Sequence, residues 1–128
     1  MKDLIINKGR DGNEVFPFIK LNVKSGVCMI AGSSYMQDPR EFFKPVIEWF
    51  NEYTSTMSGK LTMIYNLLSL NTGTSRVLFD ILEILKDYKN KGGEVYIKWY
   101  FEDKQDTHID DIIDITSSFE IEVDVITD

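Results

Sequence analysis

Cysteine and histidine are almost absent from this chain: one of each, Cys28 and His108, in 128 residues. A single cysteine forms no internal disulfide, so the expected compartment is a reducing one, the cytoplasm. Cys28 lies in the apolar run Val27-Cys28-Met29-Ile30 and reads as a small buried hydrophobe. His108 has no second soft ligand at metal-binding spacing. No pattern brings it to a serine or threonine with an orienting acid. Asp106, Asp110, Asp111 and Asp114 follow one another closely but lack the glycine and spacing of a calcium loop. The expectation is therefore no catalytic residue, no metal and no cofactor. A Walker A sequence and a GxGxxG fingerprint are also missing. No apolar run approaches the roughly 20 residues a membrane helix needs. Met1-Lys2-Asp3-Leu4 carries an acid where a signal peptide would be basic and then apolar.

Positive charge is in deficit. The net charge is −7, which argues against nucleic acid as a partner. The deficit is concentrated: residues 102–128 hold ten acids and one base, Lys104. Such a run reads as a solubilising face or as an acidic docking surface.

What is present is enough for one compact core, with 43% hydrophobic and 12% aromatic residues. Leu4-Ile5-Ile6 and Glu14 to Val23 read as strands, Lys24-Ser25-Gly26 as a turn, and Val27 to Ala31 as the return of a hairpin. Gly32 to Gln37 reads as a loop. Asp38-Pro39-Arg40-Glu41 has the acid, proline and glutamate of a helix start. Phe42, Phe43, Val46, Ile47, Phe50 and Tyr53 then recur at helical spacing. Pro45 argues for a kink or a later start, and Gly59 ends the segment. Leu61 to Leu70 is nearly all apolar, the pattern of a central strand covered on both faces. Arg76 to Tyr88 is a helix, with Val77, Leu78, Ile81, Leu82, Leu85 and Tyr88 on one face, and Gly92-Gly93 stops it. Val95 to Phe101 is a strand, Asp106 to Ile115 a weak helix and Phe119 to Ile126 a last strand. The expected architecture is α/β, one domain over 1–128, in the order β-β-β-α-β-α-β-α-β. A mixed sheet carries helices packed on it, and 61–101 forms a parallel crossover.

The informative stretch is Leu70-Asn71-Thr72-Gly73-Thr74-Ser75. It joins an apolar strand to an amphipathic helix, where backbone N–H groups point outward without partners. Asn71 or Thr72 can cap the helix, and the hydroxyls there can hold an anionic ligand or carry a phosphate themselves. The second option would make the chain a small ligand-binding or enzymatic domain holding a phosphate or carboxylate.

Several ordered motifs bear on the choice. Gly32-Ser33-Ser34-Tyr35, Phe42-Phe43-Lys44-Pro45-Val46-Ile47-Glu48-Trp49, Leu70-Asn71-Thr72-Gly73-Thr74-Ser75, Asp80-Ile81-Leu82 and Trp99-Tyr100-Phe101-Glu102 together resemble the SiaC family of bacterial regulatory phosphoproteins. The likeness runs over roughly 14–126. It implies a fold similar to the STAS domains of anti-sigma-factor antagonists, and a non-enzymatic, partner-switching role. It implies that Thr72 is phosphorylated by a partner kinase and dephosphorylated by a PP2C-type phosphatase. It also implies that the unphosphorylated form binds a diguanylate cyclase, raising cyclic di-GMP and promoting biofilm or aggregation. On this reading Asn71, Gly73, Thr74, Ser75 and Arg76 shape the turn and cradle the phosphate, while Ser33, Ser34, Tyr35 and Met36 belong to the partner surface. The chain departs from the family in having Gly73-Thr74 after the threonine, which brings Thr74 and Ser75 into competition as acceptors. It also has Met36-Gln37 where the family has proline-glutamate.

Overall fold

In a computed structural model that describes residues 1–7, 16–101 and 108–127, the chain runs β1 (Leu4–Ile6), β2 (Phe18–Leu21), β3 (Val27–Ser34), α1 (Pro39–Thr56), β4 (Lys60–Leu70), α2 (Thr72–Asn90), β5 (Glu94–Phe101), α3 (His108–Ser118) and β6 (Val123–Thr127). The expected element order holds. The sheet order is β1-β2-β3-β4-β5-β6. The pairs β1–β2 and β2–β3 are antiparallel; β3–β4, β4–β5 and β5–β6 are parallel. Glu14 and Val15, at the start of the expected second strand, lie outside the described residues.

Three local expectations are corrected. The first helix does not start late: it begins at Pro39 and runs through Pro45. Pro45 is exposed, so the Glu41 carbonyl deprived of its helical N–H partner faces water. The third strand continues through Gly32 and Ser33 to Ser34 by a shift of register at Gly32/Ser33, where a loop was expected. The last strand starts at Val123 rather than Phe119. Residues 119–121 instead close α3: Ile121 N–H donates to the Thr116 carbonyl and Glu120 N–H to that of Ser117, with Glu120 at φ 60°. This is the hydrogen-bond pattern of a Schellman cap.

The sheet is covered on one face. Ile19, Leu21, Cys28, Ile30, Leu61, Met63, Tyr65, Leu67, Ile97 and Trp99 are buried beneath the helices. Their neighbours along the strands (Lys20, Met29, Ile64, Asn66, Lys98) range from half-buried to exposed. The two-sided cover expected of β4 is thus absent among the described residues. From the helices, Phe43, Val46, Phe50, Ile81 and Leu85 fill the core, and Trp49 stacks on Tyr53 at 5.1 Å. Apolar burial of this kind supplies most of the folding free energy, at about 25 cal/mol per Å².

One buried group is a defect. The Tyr65 ring stacks on Trp99 at 4.3 Å, yet its hydroxyl has no hydrogen-bond partner among the described residues. An orphaned buried hydroxyl carries its full desolvation cost, so Tyr65→Phe should raise stability by about 1 kcal/mol. Urea denaturation checks this; a loss of stability would show that the hydroxyl has a partner.

Burial also pushes the Cys28 thiol up to about 12 and the Tyr65 phenol upward. Both groups fold neutral, whereas the unfolded chain ionises them nearer their ordinary values. Stability from Cys28 is therefore whole below pH 9 and falls as pH rises towards 12. Each pH unit in that window costs about 1.4 kcal/mol. Denaturation midpoints across pH 8–11 should show this slope, and Cys28→Ala should remove that share of it.

Candidate functional site

Asn71 explains why α2 starts at Thr72 and not at Arg76, four residues later. Its backbone is extended (φ −92°, ψ 172°), and its side-chain oxygen accepts the Thr74 N–H at 2.9 Å. This is an N-cap with the partner at the third helical residue. The same oxygen accepts the Thr74 hydroxyl at 2.7 Å. The Asn71 amide nitrogen donates to the Met36 carbonyl at 3.0 Å, and its backbone N–H donates to the Ser34 carbonyl at 3.0 Å. One residue thus caps the helix and ties it to the segment that leaves β3.

Beneath this cap lies a closed hydroxyl pair. Ser34 Oγ and Thr74 Oγ1 are 2.7 Å apart, and both residues are fully buried. If Ser34 donates to Thr74 and Thr74 to Asn71, each hydroxyl is satisfied. Buried polar groups persist only when so paired. Thr74 is therefore enclosed and engaged, and presents no open hydroxyl to a kinase or a phosphate.

The first helix starts alongside. Asp38 caps α1 by accepting the Glu41 N–H at 3.2 Å. A Cβ on Gly73 would come within 2.9 Å of Pro39 Cγ, so only glycine lets the two helix starts abut. Arg40 bridges the helices to Asp80 at 3.2 Å, with both side chains exposed; a pair so wet contributes little stability. Two helix N-termini side by side bring the positive ends of two helix dipoles to this corner, beside the carboxylates of Asp38 and Glu41.

Strand alternation sorts the expected residues. Tyr35 points out, 48% exposed, whereas Ser34 and Met36 point in. Of the four residues expected on a partner surface, Ser34 and Met36 form its inner support, Ser33 is half-buried and Tyr35 is outermost. Around the turn, Thr72 and Arg76 are exposed; Asn71, Gly73 and Ser75 are half-buried. Ser75 Oγ donates to the Asn71 carbonyl at 3.4 Å.

Two depressions flank the turn. A groove of about 700 Å³ runs beside Tyr35, between Phe16, Asp38, Glu41 and Phe42. A small apolar recess of about 80 Å³ lies between α2 and α3, framed by Leu70, Ser75, Phe79, Trp99 and Ile112. The sequence marks Pro39 only as part of a helix start and does not single out Phe79. Phe79 falls off the apolar face of α2, and Pro39 matters only because a glycine thirty-four residues later packs on it. Among the described residues no three histidines, cysteines, aspartates or glutamates gather to hold a metal, and no helix is long and apolar enough to cross a membrane.

The chain as a whole is similar to known proteins. An uncharacterized protein of Pseudomonas aeruginosa (strain UCBPP-PA14) is 28% identical over 91 residues, 71% of this chain and 72% of that protein. SiaC of Pseudomonas aeruginosa superposes over 100% of both chains, with a TM-score of 0.82 and 23% identity. A chain in the crystal structure of the diguanylate cyclase SiaD with its activator SiaC, from the same organism, superposes on 98% of this chain and over its own whole length. Its TM-score is 0.86 at 22% identity. The family model described as SiaC family regulatory phosphoprotein matches residues 10–128. With the family model matching all but the first nine residues, the chain belongs to the SiaC family of regulatory phosphoproteins.

Proposed function

We propose that this chain is a single cytoplasmic regulatory domain, not an enzyme, and that its unphosphorylated form binds and activates a diguanylate cyclase. Thr72 is the phosphoacceptor of a partner kinase, and a PP2C-type phosphatase resets it. The observation that carries this reading is the contrast along the turn: Thr72 is exposed at the first position of α2, while Thr74, two residues on, is fully buried. A SiaC protein is the activator of a diguanylate cyclase in the matched complex, which supports the choice of effector.

The energetics fit a surface switch. A phosphate on Thr72 brings between one and two negative charges to the paired helix starts. Arg76, one turn further along the same helical face, is placed to meet it. The gain is about 0.3–1 kcal/mol at an exposed helix end, too small to remodel the domain. A partner seated over Thr72 and Tyr35 would instead meet a desolvated phosphate, which costs several kcal/mol.

Cyclic di-GMP synthesis by the organism's own diguanylate cyclases, with and without this chain, tests the proposal. One cyclase should gain activity that saturates at a fixed stoichiometry. A full panel of folded, unstimulated cyclases would overturn the choice of effector.

A further inference from the structure

The switch occupies the edge of the molecule where strands give way to helices, and it leaves the uncovered face of the sheet unused. Across that face the strand register sets Lys20, Met29, Ile64, Lys98 and Asp124 in one row. A second row holds Val27, Thr62 and Tyr96. Val27, Tyr96 and Tyr100 are 37%, 46% and 36% exposed; Thr62, between Val27 and Tyr96, is buried, and Met29 and Ile64 are half-buried with no helix above them among the described residues. Apolar rows of this kind on a sheet face mark an interaction site more often than a solvent surface.

The charges select the occupant. Lys20 and Lys98 bracket Met29 and Ile64, both are exposed, and neither forms an ion pair among the described residues. Lys60 lies over the Tyr96 ring, 4.8 Å from its centre. Acids stand at the rim, Glu94 at the start of β5 and Asp124 on the edge strand β6. A second copy laid face to face about a twofold axis along or across the strands sets the Lys20–Lys98 row against itself, lysine near lysine. Like charges so opposed disfavour a homodimer. A nucleic-acid strand is disfavoured by the net charge of −7. An amphipathic helix whose apolar stripe covers Met29, Ile64 and Tyr96, and whose flanks carry carboxylates, satisfies both rows.

We infer that the open sheet face is a second docking surface, for an acidic amphipathic helix of a partner protein, and that it works independently of the phosphorylation state of Thr72. It lets one chain hold a partner permanently while the turn engages and releases another.

Amide NMR of the whole chain tests this with two synthetic helices sharing one leucine stripe, one flanked by glutamates and the other by lysines. The acidic helix should shift the amides of Lys20, Met29, Ile64, Tyr96 and Lys98, equally in wild type and in Thr72→Asp. Reversing Lys20→Glu and Lys98→Glu together should weaken binding about tenfold, with the unliganded spectrum confirming the fold. Equal binding of the basic helix, shifts confined to the helical side, or concentration-dependent shifts of these amides without peptide would each overturn the inference. The last of these would assign the face to a second copy.

Discussion

Thr72→Asp should lose the cyclase, with binding weakened about a hundredfold, while Thr72→Ala binds as wild type does. A hundredfold is about 2.7 kcal/mol, within the several kcal/mol that an unmatched charge costs when an interface covers it. The fold should not register the change. Thr72 is exposed at the first position of α2, where an acid gains about 0.3–1 kcal/mol from the helix end. Thr72→Asp should thus melt at or slightly above the wild-type temperature while failing to bind. Titration calorimetry with the activated cyclase and a thermal scan of the same samples separate the two effects. Matched affinities for the two variants would reduce Thr72 to a helix residue without a gate.

Gly26→Ala should be the most damaging of the small substitutions to stability, costing about 3–5 kcal/mol. Gly26 turns the chain from β2 into β3 at φ +69°, a conformation that costs a non-glycine residue about 1–3 kcal/mol. A Cβ there would lie 2.3 Å from the Lys60 carbonyl oxygen and 2.9 Å from the Tyr53 hydroxyl. The oxygen is backbone and cannot swing aside. Its neighbourhood starts the parallel β3–β4 pair, since Thr62 N–H donates to the Gly26 carbonyl at 2.8 Å. Relief of the clash must therefore pull the central strands β3 and β4 away from each other. Gly92→Ala is the control: the φ is likewise positive, +100°, but nothing lies within 4 Å of the added carbon. Its cost should be the backbone share alone. Equal urea midpoints for the two variants would show that strain, not the clash with Lys60, sets the penalty.

Local chemistry made the element order legible. Helical spacing in α1 and α2, the glycine pair that closes α2, and the alternation of β5 all act within a few residues of one another. The features of the fold that stayed hidden were long-range or concerned an unusual backbone. Nothing near Leu61–Leu70 reveals that its second face lacks a covering layer, because Ile64 is apolar yet only half-buried. The apolar pattern of α2 begins only at Arg76 because Thr72-Gly73-Thr74-Ser75 have poor helix propensity, while the cap at Asn71 is one of the two readable at the turn. The site divides in the same way. A hydroxyl-rich helix start is visible in sequence, but the inward turn of Thr74 depends on Ser34, forty residues earlier. The burial of Met36 follows from β3 running on to Ser34 through a register shift.

At this corner Thr72 and Arg76 are exposed on α2, and Tyr35 borders a groove that leads past Asp38 and Phe42. Asn71 joins the halves of the corner, bonded to Thr74 on one side and to the Met36 carbonyl on the other. On the proposed reading, a phosphate on Thr72 and a partner over Tyr35 would compete at this corner, without any change of fold. That competition is the central claim.

Its most direct measurement uses chain phosphorylated by its own kinase. The site is located by fragmentation mass spectrometry, and the same sample is titrated against the cyclase before and after phosphatase treatment. The account predicts a single phosphate on Thr72, weak binding before treatment and full binding after it. A phosphate on Thr74 or Ser75, or an affinity unchanged by its removal, would contradict it.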